Sequence, residues 1–436
     1  MKKKLAFISE HASPLAVLGG VDSGGQNVYV AELCKQLARL GYTIDIFTRK
    51  DSQQLDTVVS WLPGIRVIHV TAGPEDYVPK ENLLEYMDDF TENMIDFIQT
   101  NDLDYDLIHA NFFMSGLVAF NIKKRLGLPY VITFHALGKI RMIHQKEQDA
   151  FPTARLAIED LIVQDADRII AECPQDEEDL IGHYHADPGK ITVIPCGFSS
   201  NEVFFVHQEK ARAILNLPKD DIILLQLGRI VPRKGVDNVI RALGKLKHIP
   251  KIKLLIVGGA DEKPDFENDP EFKRLLTTAR DELVIDSVIF TGRKNRTDLI
   301  YYYCAADFFI STPWYEPFGI TPLEAMACGT PVIGSNVGGI KYSVKHNSTG
   351  FLVPAHNPIA LAQAIERGIS DPVLYKHLCK KALKRVNKMF TWECVAKKAN
   401  VLYESLTYQY LPKRKNSYIP KHAKNTTHIR TLGQLV

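Results

Sequence analysis

Residues 314–333 read Trp314-Tyr315-Glu316-Pro317-Phe318-Gly319-Ile320-Thr321-Pro322-Leu323-Glu324-Ala325-Met326-Ala327-Cys328-Gly329-Thr330-Pro331-Val332-Ile333. The apolar run Asp307 to Ser311 precedes them and Pro331 to Ile333 closes them, which predicts strand, loop, helix, strand. Thr321 stands where an N-cap belongs, with Pro322 in the first helical position and Glu324 in the third; this is the pattern of a capping box. Gly329 supplies the stop. A helix starting here turns its free N–H groups toward the loop from Glu316 to Ile320, a site prepared for negative charge.

Strands rich in Ile, Val and Phe alternate with helical patterns in both directions from this stretch, which predicts parallel α/β sheets. Ahead of it lie Ile222–Gly228, Lys253–Val257 and Val288–Thr291, and behind it Phe351–Val353. An earlier series comprises Leu5–Ser9, Ile44–Thr48, Arg66–Val70, Leu107–Ala110, Tyr130–Phe134, Arg168–Ala171 and Thr192–Ile194. A helix over Asn27 to Leu40 carries its apolar residues at 30, 33, 34, 37 and 38. Pro195-Cys196-Gly197 and the irregular stretch to Val206 form the linker. The fold class is therefore α/β: two doubly wound domains, 1–200 and 207–390, facing across a cleft where ligand should lie. A tail, 411–436, holds six Lys/Arg and no acid, and reads as a solvated segment with weak contact to an anionic membrane surface as its sharper alternative.

The 436 residues carry a formal net charge of +2, which gives no reason to expect nucleic acid. Seven scattered cysteines without a C-x-x-C pair suit a reducing cytoplasm. Neither a signal-peptide apolar region nor a run near the ~20 residues of a membrane span is present. Three D-x-D pairs (Asp102/Asp104, Asp104/Asp106, Asp165/Asp167) precede strands, so turn and cap roles are expected and no metal.

Two glutamates eight residues apart, with Pro-Phe-Gly between them and a small-residue helix ending in Cys-Gly-Thr-Pro-Val, resemble the signature of the family 4 retaining nucleotide-sugar glycosyltransferases. The resemblance spans residues 4–409 and implies the two-domain GT-B fold. It also implies a last helix, 393–409, that crosses back to the first domain. By that likeness Glu316 and the Phe318–Gly319 amides hold the donor sugar, and Glu324 holds the ribose.

Gly228-Arg229-Ile230-Val231-Pro232-Arg233-Lys234-Gly235 ends a strand with cations that can converge on a pyrophosphate. The family has the same G-R-x-x-x-x-K-G pattern, which makes Arg229 and Lys234 the diphosphate ligands and leaves Arg233 facing solvent. Arg293, ending another strand, is the candidate against the nucleotide base. From the glycine loop Gly19 to Asn27, the likeness carries over Gly25 for donor phosphate and Asn27 for the acceptor. His135, at the end of its strand, stands where the family has a histidine beside the reacting sugar, and His109 is a candidate on the acceptor side.

The opening Ser9-Glu10-His11-Ala12-Ser13-Pro14 is most similar to the branch of sucrose-phosphate synthases and inositol-phosphate N-acetylglucosaminyltransferases. Lys80 and Arg155 match two cations that grip an acceptor phosphate there. Phe112 and Ala136 replace two hydroxyl donors, which weakens such a site. The expected activity is retaining, metal-independent transfer of a hexosyl group from a UDP- or GDP-linked sugar to an acceptor hydroxyl, a sugar phosphate among the candidates. His135 and Glu316 are the catalytic candidates, and no cofactor is expected beyond the donor itself. A non-catalytic nucleotide-sugar binder is one alternative; a dinucleotide oxidoreductase is another, but neither half has its compact glycine fingerprint.

Overall fold

The computed structural model describes residues 3–16, 24–145 and 150–416. The first sheet contains β1 (Lys4–Ile8), β2 (Thr43–Arg49), β3 (Val58–Leu62), β4 (Ile65–Val70), β5 (Leu107–Asn111), β6 (Tyr130–Thr133), β7 (Arg168–Ala171) and β8 (Ile191–Val193). Their order is β3-β4-β2-β1-β5-β6-β7-β8. All neighbours are parallel except β3 and β4. The second sheet contains β9 (Ile222–Leu227), β10 (Ile252–Val257), β11 (Val288–Gly292), β12 (Phe308–Ser311), β13 (Val332–Ser335) and β14 (Gly350–Val353). Its order, β11-β10-β9-β12-β13-β14, is parallel throughout. Strand order reverses at β1/β5 in one sheet and at β9/β12 in the other, and a crevice opens at such points.

Helices cover both faces of each sheet, so inner strands are apolar on both sides. The exception on β2 is Asp45, fully buried, which takes Arg66 Nε at 2.8 Å, Arg66 Nη2 at 2.7 Å and the Tyr105 hydroxyl at 2.6 Å. The helix predicted over Asn27 to Leu40 runs Gly25–Arg39 and buries Val30, Leu33, Cys34 and Leu37 against the sheet. Sequence reading missed β3, an edge strand whose side chains alternate between half-buried and exposed. Its signal was the Pro63-Gly64 turn between two apolar runs.

The helix Trp392–Asn416 returns to the first domain. Phe198 N donates to Phe390 O at 2.9 Å and Trp392 N to Phe198 O at 3.2 Å, so the linker and this helix are stitched together. Farther along, Asn400 accepts from the Tyr42 hydroxyl at 2.8 Å, and Thr407 from Lys3 Nζ at 3.0 Å. One apolar cluster therefore runs from beneath the helix Gly25–Arg39, past Trp392, Ala399 and Tyr403, to Tyr303 and Met326 of the second domain. The tail reading falls mainly on residues 417–436, which lie outside the described residues.

Candidate active site

The segment from Glu316 to Gly319 is seated on backbone. Gly339 N donates to Glu316 O at 3.1 Å, and a Cβ on Gly338, whose φ is +42°, would stand 1.9 Å from that same oxygen. Only glycine fits there, and the fit fixes the loop. The helix that follows is Ile320–Ala327 with Gly319 as N-cap, so the Thr321 capping box expected from sequence does not form. Gly319, at φ +88°, turns the chain early and starts the helix one residue ahead of Thr321. Glu324 is then too deep to reach the cap. It is buried, accepts from the Tyr303 hydroxyl at 2.7 Å, and lies 3.1 Å from Arg296 Nη2. Its Oε1 is buried, makes no hydrogen bond, and is the atom that faces Arg296.

Opposite, the β9 loop folds back on the same place. A Cβ on Gly235, at φ +65°, would meet Thr312 O at 2.1 Å, so the turn packs directly on the end of β12. Lys234 Nζ pairs with Glu316 Oε2. Burial, partly offset by Glu316 and reinforced by Arg233 and Arg229, lowers the Lys234 ammonium to about 8. Burial pushes the Glu316 carboxyl up, but Lys234, Arg233 and Arg229 outweigh it and hold it below the usual carboxylate range. Arg233, expected to face solvent, is half-buried instead. Its guanidinium stands 5.5 Å from the centroid of Tyr315, and its buried Nη1 has no hydrogen-bond partner. Lys234 thus contacts one carboxylate at the β9/β12 crevice, and the charges of Arg233 and Arg229 act on it, beside the N-terminus of a helix. Arg293, at the end of β11, has its backbone N 2.7 Å from Asp261 O. A cavity of about 340 Å³ opens beside Asp261, lined by Lys263, Asp269 and Phe272.

The first domain closes on this loop. Cys173 Sγ lies 3.4 Å from Pro317 O, and a Cβ on Gly25 would stand 4.0 Å from Ile320 Cδ1. His144 stacks on Tyr315 at 5.0 Å and 16°. His135, at φ +57°, has Nδ1 3.1 Å from Glu172 Oε1 and Nε2 3.1 Å from Asn111 Oδ1. Both ring nitrogens are occupied, so a hydrogen bond from the ring to a sugar requires one partner to let go.

Three residues expected on the acceptor side are buried and paired within the protein. His109 is 1% exposed, with Nε2 2.9 Å from Thr133 Oγ1 and Nδ1 2.7 Å from the Tyr403 hydroxyl. Burial, then the neighbouring His135, lowers its pKa to about 3, so it is a neutral tie between helix and sheet with nothing to offer a ligand. Asn27 is buried and its amide is spent on the loop, accepting from Gly24 N and donating to Ser13 O, each at 2.9 Å. Arg155 is 2% exposed, packed among Phe112, Phe113 and Phe151, with Nε 2.7 Å from Glu159 Oε1. Glu159 sits one helical turn on, an i,i+4 pairing that the sequence displays, while the buried Arg155 Nη1 has no hydrogen-bond partner. Lys80 opens the turn Lys80–Tyr86, 3.8 Å from Glu81.

The aspartates of the D-x-D pairs lie away from the crevice. Asp106 Oδ2 takes Lys4 N at 2.8 Å, while Asp165 and Asp167 pair with Lys123 at 3.4 and 3.1 Å. Among the described residues no group of three His, Cys, Asp or Glu is placed to hold a metal ion, and no helix is long and apolar enough to cross a membrane.

Residues 23–202 match the family described as Glycosyltransferase Family 4, and residues 207–385 that described as Glycosyl transferases group 1. The chain is 35% identical over 379 residues to D-inositol 3-phosphate glycosyltransferase 2 of Catenulispora acidiphila, covering 85% of this chain and 88% of the relative. It is 31% identical to the D-inositol 3-phosphate glycosyltransferase of Corynebacterium diphtheriae over 92% of this chain and 95% of that one. Among solved structures, sucrose-phosphate synthase from Thermosynechococcus elongatus superposes with a TM-score of 0.85 at 36% identity, over 94% of this chain and 100% of that one. Anabaena HepE in complex with UDP-glucose shares the fold at a TM-score of 0.72 and 20% identity, over 92% and 99% of the two chains.

Proposed function

Because the chain belongs to the family 4 glycosyltransferases and has their GT-B fold, we propose that it transfers a hexosyl group from a UDP- or GDP-linked sugar to an acceptor hydroxyl, with retention at the anomeric carbon and without a metal. The observation that carries this reading is the convergence of Arg229, Arg233 and Lys234 with Glu316 at the β9/β12 crevice. A diphosphate entering there meets Lys234, Arg233 and the exposed Arg229, with the N–H groups of the helix Ile320–Ala327. Preorganised charge of this kind stabilises a departing diphosphate by several kcal/mol, roughly 3 per donor group. Glu324, tied to Arg296 and Tyr303, is the residue assigned to the ribose, and Glu316 stands beside the cations to meet sugar hydroxyls. The cavity at Asp261, next to Arg293, offers room for the base.

The acceptor is assigned only as a hydroxyl-bearing molecule. An acceptor phosphate like that in the relatives' name would need a cation other than Arg155, which is buried and already paired with Glu159. Seven cysteines, all unpaired, support a reaction in the cytoplasm.

The test is calorimetry against UDP, GDP, ADP and NAD, then product mass spectrometry with UDP-glucose and a panel of neutral and phosphorylated sugars. Binding of one nucleoside diphosphate, transfer, and loss of transfer in Glu324→Ala and Lys234→Ala are expected. Tight nucleotide binding with donor left intact across the panel favours a binding protein, and preference for NAD removes the reading. Proton NMR of the product reads the anomeric configuration.

A further inference from the structure

We infer that Glu172 is a positioning residue that acts through His135; the inference rests on the reading that His135 faces the transferred sugar. Glu172 follows β7 directly and is 3% exposed. Its Oε1 stands 3.1 Å from His135 Nδ1 and 2.9 Å from Cys196 Sγ. Its backbone N donates to Asp176 Oδ2 at 2.9 Å, within the first turn of the helix Pro174–Tyr184. The carboxylate is thereby held by a strand end, a helix start and the junction between the two domains.

The far edge of the imidazole faces Asn111. Asn111 donates its amide nitrogen to Ile8 O and His109 O, each at 3.2 Å, which leaves Oδ1 as the atom facing His135 Nε2. The Tyr29 ring stands edge-on at 4.7 Å and 74°. Glu172 at Nδ1 and the Tyr29 edge set the plane of the ring, with Asn111 Oδ1 beside Nε2.

That clamp has a backbone counterpart. At φ +57°, His135 occupies the left-handed region, which a histidine adopts at a cost unless its surroundings over-determine it. Glu172 is the only charged member of the clamp, and its removal frees Nδ1 and lets the residue relax. Nothing in the sequence pairs these two residues, since Glu172 reads there as a polar residue before a helix N-terminus.

The experiment uses the full chain with UDP-glucose as donor and UDP as the binding probe. Glu172→Ala should lower kcat roughly 10- to 100-fold, the scale of a misplaced reacting group, with donor KM and UDP affinity little changed. Glu172→Gln, which keeps an acceptor oxygen, should recover most of the loss. In a His135→Ala background Glu172→Ala should cost nothing further. Unchanged kcat in Glu172→Ala, an equal loss in the His135→Ala background, or full turnover in His135→Ala alone would each overturn the inference, while intact UDP binding would leave the donor site standing. A readout independent of turnover is the imidazole Nδ1–H resonance of His135 in labelled protein. Protection from exchange that disappears in Glu172→Ala supports the pairing even if UDP-glucose is not the donor, and identical signals in the two proteins reject it.

Discussion

Lys234 and Glu316, 82 residues apart in sequence, form an ion pair where β9 and β12 diverge, and the charges of Arg233 and Arg229 also act on that carboxylate. Neither group is fully compensated alone: the ammonium is lowered to about 8 by burial and by its cationic neighbours, despite Glu316.

A diphosphate at this site adds negative charge and raises the Lys234 ammonium above its free value. Affinity is therefore full below pH 8 and declines as the pH rises through it, because binding above 8 must restore the proton that Lys234 has lost. Calorimetry with UDP should show affinity falling by up to about tenfold per pH unit above 8, with net proton uptake near that pH. Lys234→Ala should bind UDP roughly 10- to 100-fold more weakly and lose this pH dependence. An unchanged slope in the variant would place the titrating group elsewhere.

Asp176 gives a stability prediction of opposite logic. Burial, then Glu172, raises its carboxyl from 3.8 to about 8, against the hydrogen bond it accepts from Glu172 N. The folded chain holds a proton that the unfolded chain has lost between these values. Its contribution is greatest below pH 4, declines through the window and is level above 8. Asp176→Asn should therefore be more stable than the parent near pH 8, by about 1–2 kcal/mol after allowance for partial exposure, and equal to it below pH 4. Thermal melts at pH 3.5, 6 and 8 check the sign.

Tyr403→Phe leaves buried His109 Nδ1 without its partner. A loss of about 1–3 kcal/mol in denaturant unfolding is expected, the usual cost of a stranded buried polar group. With His109 neutral above about pH 3, the loss should not vary between pH 5 and 8. UDP affinity should be unaltered; a weakened affinity would return His109 to the ligand site.

Gly338→Ala places a Cβ 1.9 Å from Glu316 O at a backbone angle that alanine resists. A destabilisation of roughly 1–3 kcal/mol and weakened donor turnover should appear together, because the same loop carries both effects. Gly182→Ala has open space around its Cβ and serves as the control in the same melts and assays.

The sequence made the two sheets legible because strand and helix periodicity is local, and a strand buried on both faces shows as a run such as Ile222 to Leu227. Residue types in the glutamate loop and the basic turn likewise pointed to a crevice at the strand ends. Pairing is another matter, because a charge's role depends on whichever residue stands across from it. Local sequence does not show that Glu159 and three aromatic rings stand around Arg155, or that Tyr315 stands over Arg233. His109 and Tyr403 are 294 residues apart, beyond the reach of any local pattern. Even the start of the helix Ile320–Ala327 was decided by the packing of Gly319 and Gly338, which moved Glu324 from a cap to a buried contact with Arg296 and Tyr303. Periodicity is written in neighbours along the chain. Electrostatics and burial are written in neighbours across space, and those exist only once the chain has folded.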